Sequence, residues 1–414
     1  MDGDGERAMS TARTALDVVR IVGVHTTQQK RSHAPRTSLS LALEAIAGAL
    51  ADAGLGTGDV DAVLGAPLDW PLGYAAISGG MQGFWGKQLS KPMHWGSSNY
   101  GVLAVMEAAA MIQAGMLDVA VVVCAFSGAA SPAYRKQNYQ DGSAFTNWTG
   151  SFTPAQYALV ASRWIYERGP GVIDAMAEAS ATIRNFGALN PAALYGGRPL
   201  LTGADVLASR MIADPLTLLM CCANNDGGGA VVLTRSDRAT NTRKGGKKII
   251  CAGEMQSSSP YVEPPVLVDP RPVRSYIASR MAAAGIAPAD INILQLYDNF
   301  AIHILDQLES FGIAQVGEAQ DLVLSGALGL GGRYPTCTDG GLMSFGHLGG
   351  FLYRVVEAVR QLRGEVDDHC PGAAGGVHTH DPILCRHVAN AELALVANPG
   401  SPTGTANFLV IAND

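Results

Sequence analysis

Two distant stretches of this chain carry the same punctuation at the same spacing. Gly54 is followed five residues later by Asp59 and then by the apolar run Val60, Ala62, Val63; Gly285 is followed by Asp290 and then by Ile291, Ile293, Leu294. Farther along, the stretch from Gly101 to Gly115 has a counterpart of equal length from Gly350 to Gly364, and each leads into a strand-like run, Val119 to Cys124 and Glu392 to Ala397. Self-similarity of this kind marks a duplicated unit, because each copy solves one packing problem with the same helix stop and the same turn. The chain is therefore expected to fold as two homologous α/β halves.

The first copy supplies the grammar. Val18 to Val24 reads as a strand, Ser38 to Ala53 as an amphipathic helix and Val60 to Gly65 as a short buried strand. Asn99 to Gly115 is a helix of small and apolar residues on most of its faces, and such a helix belongs inside a protein. Hydrophobic residues make up 48% of the 414, enough to cover an interior of that kind. The expected organisation is a mobile tail over 1–15, a first half over 16–245 that includes an inserted loop region, and a second half over 246–414.

Several classes of function are excluded. The net charge of −7 has no long like-charge blocks, so there is no electrostatic footprint for nucleic acid or for an anionic membrane surface. No window reaches the roughly 18 apolar residues of a spanning helix, and the first residues have no apolar signal core. Seven cysteines without a CxxC pair suit a reducing, cytoplasmic compartment. His369, His378 and His380 fall in and around a Pro/Gly-rich stretch that reads as an exposed loop, and no metal site is expected there.

Superposing the copies sets Ser98, three residues before Gly101, opposite His347, three residues before Gly350. Both are expected at the N-terminus of a buried helix, where unpaired N–H groups favour negative charge on an oxyanion or a carbonyl oxygen. An N-cap is the other reading of Ser98, and packing is the other reading of His347.

With these residues in place, the chain resembles the thiolase superfamily, and within it the sterol-carrier-protein-type thiolases, from Val18 onward. The matching segments are Ser151-Phe-Thr-Pro-Ala-Gln-Tyr, Asn190-Pro-Ala-Ala, Ala213-Asp-Pro-Leu, Asn225-Asp-Gly-Gly-Gly-Ala-Val-Val-Leu, Tyr297-Asp-Asn-Phe-Ala and Gly340-Gly-Leu-Met-Ser-Phe-Gly-His-Leu-Gly-Gly. The resemblance implies an α/β thiolase fold, five-layered αβαβα with two pseudo-symmetric halves, a homodimer or larger assembly, and an acyl-CoA substrate. A working thiolase has a cysteine where Ser98 stands, a histidine at His347 and a second cysteine late in the chain, where Asn398-Pro-Gly-Ser-Pro-Thr-Gly runs instead. A serine hydroxyl is essentially un-ionised near neutrality, so covalent thiol chemistry is gone.

A thiolase pocket without its thiolate can still bind an acyl-CoA and stabilise an enolate, which is what retro-aldol cleavage of a β-hydroxyacyl-CoA needs. The chain is similar, in its Tyr297-Asp298-Asn299-Phe300 block and its missing cysteine, to the thiolase-like steroid side-chain aldolases. That resemblance nominates Tyr297 for proton transfer; those aldolases carry a second tyrosine where this chain has His347, so His347 is the expected second member. Ser98, Asn99, Tyr100 and Gly346 are expected to line the pocket or serve its oxyanion, with His94 nearby. His303 is expected to pack or face solvent, Cys124 to be inert core, and Cys337 stands where the family often has asparagine. No cofactor is expected beyond the CoA of the substrate. The resemblance also implies a small zinc-ribbon and OB-fold partner protein. A non-catalytic acyl-binding scaffold and an acyltransferase using Ser98 remain the alternatives.

Overall fold

The computed structural model describes residues 16, 18–69, 94–96, 101–130, 153–256, 269–348, 352–366, 386–398 and 405–413. Its strands are β1 (Val19–Thr26), β2 (Ala62–Asp69), β3 (His94–Gly96), β4 (Val119–Ser127), β5 (Met211–Ala213), β6 (Leu216–Thr217), β7 (Gly227–Arg235), β8 (Lys247–Gln256), β9 (Ile293–Gln295), β10 (Leu393–Ala397) and β11 (Thr405–Ala412). The longer helices are α1 (Ser38–Ala53), α2 (Gly101–Gln113), α3 (Thr153–Arg168), α4 (Gly171–Ala188), α5 (Arg271–Ala283), α6 (Ala301–Ser310) and α7 (Tyr353–Arg363).

Nine strands form one ladder in the order β3-β2-β4-β7-β1-β8-β11-β10-β9. The order is pseudo-symmetric about its centre. β2 and β4 are parallel, as are β9 and β10; β7 runs antiparallel to β4 and to β1, as β11 does to β10 and to β8. The halves meet where β1 pairs with β8 through two residue pairs, Arg20 with Lys248 and Ile21 with Lys247. The repeated punctuation has a common cause in the two copies. Gly54 and Gly285 both take left-handed backbone, with φ of 73° and 70°. A 3-10 turn follows each, closed by a carboxylate that accepts a backbone N–H: Gly56 N–H to Asp59 Oδ2 at 2.8 Å, and Ala287 N–H to Asp290 Oδ2 at 2.7 Å.

The layers follow from which side chains each strand buries. Strand β4 is buried on both faces, which is why it reads as an unbroken apolar run. Val121 and Val123 face α1 with its Leu41, Ala45, Ile46 and Ala49, whereas Val122 and Cys124 face α2. Helices α2 and α7 share one core with strands of both halves: Val105 and Ile112, Val355 and Val359, Leu64 and Val231, Leu409 and Ile411. Outside the second half, α5 and α6 pack on Leu294, Leu395 and Phe408. The succession α1, first half-sheet, α2 with α7, second half-sheet, α5 with α6 is the expected five-layered αβαβα arrangement. The nearly all-apolar α2 is a central helix for the reason its composition suggested.

Helices α3 and α4 join the core of the second half, where Tyr157, Trp164, Met176 and Ile183 lie with Leu305 and Leu308. No helix among the described residues is long and apolar enough to cross a membrane. Helix α7 starts at Tyr353, later than the Gly350 expected from the repeat.

Candidate active site

The site forms where three loops converge: the turn after β9 that carries Tyr297, the segment Cys221–Asn225 ahead of β7, and the turn Gly340–Leu348 ahead of α7. Tyr297 is held from both sides by one side chain. Gln307 of α6 accepts the Tyr297 N–H at 3.0 Å and donates its amide to the Tyr297 carbonyl at 2.9 Å. The side chain of Tyr297, 6% exposed, then reaches His347, with 3.2 Å between Oη and Nε2. These two residues were expected together from sequence, and the fold brings them into hydrogen-bond contact.

His347 stands in a turn that only this sequence pattern permits. Gly340 and Gly341 have φ of 109° and 63°, and a Cβ at Gly341 would lie 1.9 Å from Asp298 Oδ2. The next five residues wind into a π-helical turn, Gly341–Phe345. Asp298 closes it by accepting the N–H groups of Leu342 at 2.7 Å and Met343 at 3.1 Å. Arg354 of α7 donates to Asp298 at 2.9 Å and to Asp339 at 2.9 Å, so one guanidinium ties together the Tyr297 loop, the glycine turn and α7. Burial pushes the Asp298 carboxyl up, and Arg354 with the two amides pulls it back. The same burial opposes the charge on Arg354, which the carboxylates of Asp339 and Asp298 more than offset.

The far side of the turn rests on the segment ahead of β7. His347 N–H donates to the Ala223 carbonyl at 3.1 Å and Leu348 N–H to Asn225 Oδ1 at 2.9 Å. Asn225 in turn donates to Gln29 Oε1 at 2.7 Å, which also accepts from Tyr353 Oη at 2.7 Å. Desolvation pushes the His347 imidazole down to about 4, with the nearby charge of Arg354 adding to the effect. The ring is therefore neutral at ordinary pH. Its second nitrogen, Nδ1, lies 3.5 Å from the Cys222 thiol.

The other sequence candidates fall as follows. Gly346 is in the turn, but its N–H donates to the Gly341 carbonyl at 3.2 Å and so is not aimed into the pocket as an oxyanion donor. What the glycine supplies is room, since a Cβ there would lie 2.5 Å from the Asn225 amide nitrogen. His347 is in the turn that follows the π-helical winding, ahead of α7 and not at the helix's N-terminus. Ser98, Asn99, Tyr100, His369, His378 and His380 lie outside the described residues, and His94 opens β3. His303 is buried, shares Asn299 Oδ1 at 2.9 Å and sets its ring edge-on to Tyr297 with centroids 5.7 Å apart. Cys124 and Cys337 are core residues. Cys337 has φ of 52°, a left-handed backbone that asparagine adopts more readily than most side chains, and its thiol donates to the Leu296 carbonyl at 3.4 Å. Sequence reasoning missed Cys222, Asn225, Gln29, Gln307 and Arg354. Their nearest signal was the Asn225-Asp-Gly-Gly-Gly segment, which marks the strand but not the thiol three residues before it.

A pseudo-duplicated αβαβα sandwich with a Tyr–His pair formed in the turn ahead of one central helix defines a thiolase-fold protein. Residues 257–381 match the family described as Thiolase C-terminal domain-like. Over 365 residues the chain is 33% identical to the 17-hydroxy-3-oxo-4-pregnene-20-carboxyl-CoA lyase of Mycobacterium tuberculosis, spanning 83% of this chain and 91% of that protein. It is 31% identical over 378 residues to the steroid side-chain-cleaving aldolase of Thermomonospora curvata, spanning 83% and 90%. A solved structure described as an Ltp2-ChsH2(DUF35) aldolase superposes with a TM-score of 0.78 at 27% identity, covering 96% of this chain and 98% of that one. The chain belongs to the thiolase superfamily, in the branch that holds these steroid side-chain-cleaving aldolases.

Proposed function

We propose that this protein is a carbon–carbon lyase that splits a β-hydroxyacyl-CoA with a bulky, steroid-like acyl group by retro-aldol cleavage. The observation that carries the reading is the 3.2 Å contact between Tyr297 Oη and His347 Nε2 in a pocket whose imidazole is neutral. Tyr297 Oη takes the proton of the β-hydroxyl. The Cα–Cβ bond then breaks, its electron pair passing into the thioester as an enolate while the hydroxyl carbon becomes a ketone or aldehyde. Tyr297 returns the same proton to Cα, so no proton is gained or lost. The hydroxyl oxygen and Cα are two bonds apart, and one proton carrier can reach both. The phenolic oxygen must carry negative charge when it accepts that proton, and an imidazole N–H donated to it from Nε2 favours that form. Support for the substrate class comes from the two relatives, whose names specify a steroid carboxyl-CoA lyase and a steroid side-chain-cleaving aldolase.

A homodimer and a small zinc-ribbon and OB-fold partner belong to the same proposal; the two-component description of the Ltp2-ChsH2(DUF35) structure supports the partner. The test is to incubate the protein, alone and with such a partner, with β-hydroxyacyl-CoA and β-ketoacyl-CoA panels and to identify products by mass spectrometry. A ketone or aldehyde with a shortened acyl-CoA is expected. The Tyr297→Phe variant is expected to lose on the order of 10²-fold or more in kcat. A covalent acyl adduct in the wild type, lost together with turnover in Ser98→Ala, would replace this reading with acyl transfer; saturable binding with no turnover would replace it with a scaffold.

A further inference from the structure

We propose that Cys222 is a positioning residue of this site: its thiol donates to His347 Nδ1, holds the ring in the Nε2–H tautomer and so makes His347 the hydrogen-bond donor to Tyr297. The inference rests on the proton-transfer reading of Tyr297 and His347 and says what sets the direction of that hydrogen bond. A neutral imidazole between two groups has two possible arrangements. With the proton on Nε2 it donates to the phenolic oxygen and favours the phenolate; with the proton on Nδ1 it accepts from the phenol and leaves the phenolic oxygen without that donor. The group at Nδ1 decides between them.

Cys222 Sγ lies 3.5 Å from Nδ1, a hydrogen-bonding distance for sulfur. A thiol is a weak acceptor, whereas an imidazole nitrogen lone pair is a good one, so the favourable arrangement sends S–H to Nδ1. Burial pushes the Cys222 thiol up, and Cys221 and Asp298 add to the effect, so the sulfur keeps its proton across the ordinary pH range. The contact is framed by backbone and does not depend on a chance rotamer. Cys222 N–H donates to the Asn299 carbonyl at 2.8 Å, within the Tyr297 loop. Ala223 donates its N–H to the Leu342 carbonyl at 2.9 Å, and its carbonyl accepts the His347 N–H at 3.1 Å. The adjacent Cys221 turns the other way, its thiol on the Thr217 carbonyl at 3.3 Å. One segment thus binds the backbone of the loop that carries Tyr297 and of His347 itself, and places its thiol on the His347 ring.

The test uses the full chain with ¹⁵N-labelled histidine. The ring ¹⁵N shifts of His347, assigned by comparison with His347→Gln, report the tautomer independently of turnover. The wild type is expected as Nε2–H. Cys222→Ala is expected to populate Nδ1–H and to lose about tenfold in kcat with KM little changed, a fraction of the effect of a proton-transfer group itself. Cys222→Ser keeps a donor at that position and is expected to hold Nε2–H and recover most of the rate. A wild-type ring in the Nδ1–H form, or an unchanged tautomer in Cys222→Ala, overturns the proposal. Should the wild type cleave no β-hydroxyacyl-CoA while Cys222→Ala still changes the tautomer, the lyase reading falls and the hold of Cys222 on His347 stands.

Discussion

A histidine that is neutral at pH 7 because water has been taken from it behaves differently from a surface histidine, and the difference is measurable. The His347 imidazole sits at about 4 against an ordinary value near 6.5. Between those two values the unfolded chain binds a proton at this site that the folded chain refuses. The stability contributed by the neutral ring is therefore complete above about 6.5 and is lost as pH falls from there toward 4. Catalysis follows the folded-state value: if neutral His347 is required, the acid limb of kcat lies near 4, well below the 6 to 7 of an exposed histidine. A kcat profile from pH 4 to 8, at saturating substrate and with folding monitored by near-UV circular dichroism, checks this. An acid limb at 6.5 in a folded protein would show the ring to be solvated. At this scale the sequence is legible where a motif carries the residue, as it does for Tyr297 and His347. Cys222 and Gln307 were not, because a single thiol or amide has no local code and acquires its role only when loops distant in sequence meet.

The elements around the pair act as clamps. Gln307 sits on α6, ten residues after Tyr297, and its amide satisfies both backbone groups of that residue in a buried place. Gln307→Met keeps the length of the side chain and removes both bonds. Leaving a buried N–H and C=O without that partner costs about 1–3 kcal/mol each. A loss of several kcal/mol in chemical denaturation is expected, with a fall in kcat that exceeds the change in KM. The glycine turn is stiffer still. Gly341→Ala places a methyl group against Asp298 and forces a left-handed residue to carry it, so the turn must open. Both stability and activity should drop, and the His347 ring resonance should broaden or move. Element boundaries show where sequence reading fell short. The repeat sets the start of the second central helix at Gly350, yet α7 begins at Tyr353. The π-helical turn Gly341–Phe345, held by Asp298 and Arg354, is a winding that repeat spacing does not encode.

At the scale of the molecule, the duplication was legible because each copy must end its first helix with a left-handed glycine and cap the next turn with an aspartate, and both marks are local. What was not local is how the copies join. The shared ladder between β1 and β8 is two residue pairs long, too short to hold two domains together by itself. The junction is the central helix layer, in which Val355 and Val359 of α7 and Val105 and Ile112 of α2 bury themselves in one core with strands of both halves. Fully burying each such side chain contributes roughly 1.5–3 kcal/mol, so neither half keeps a stable inner face without the other. Polar bonds reinforce the same seam: Arg363 at the end of α7 binds Asp52 of α1 at 2.7 Å and the Val22 carbonyl of β1 at 2.7 Å. The halves should therefore unfold together. Urea denaturation followed by tryptophan fluorescence and by far-UV circular dichroism is expected to give coincident single transitions, and a chain of residues 246–414 alone is expected to bind a hydrophobic dye and to melt without cooperativity. Two separated transitions, or a cooperative melt of the isolated half, would show that the central layer divides cleanly between the copies. In that case the Tyr297–His347 pair, both members of which lie in the second half, would no longer depend on Gln29 and the Cys222 segment of the first half for its geometry.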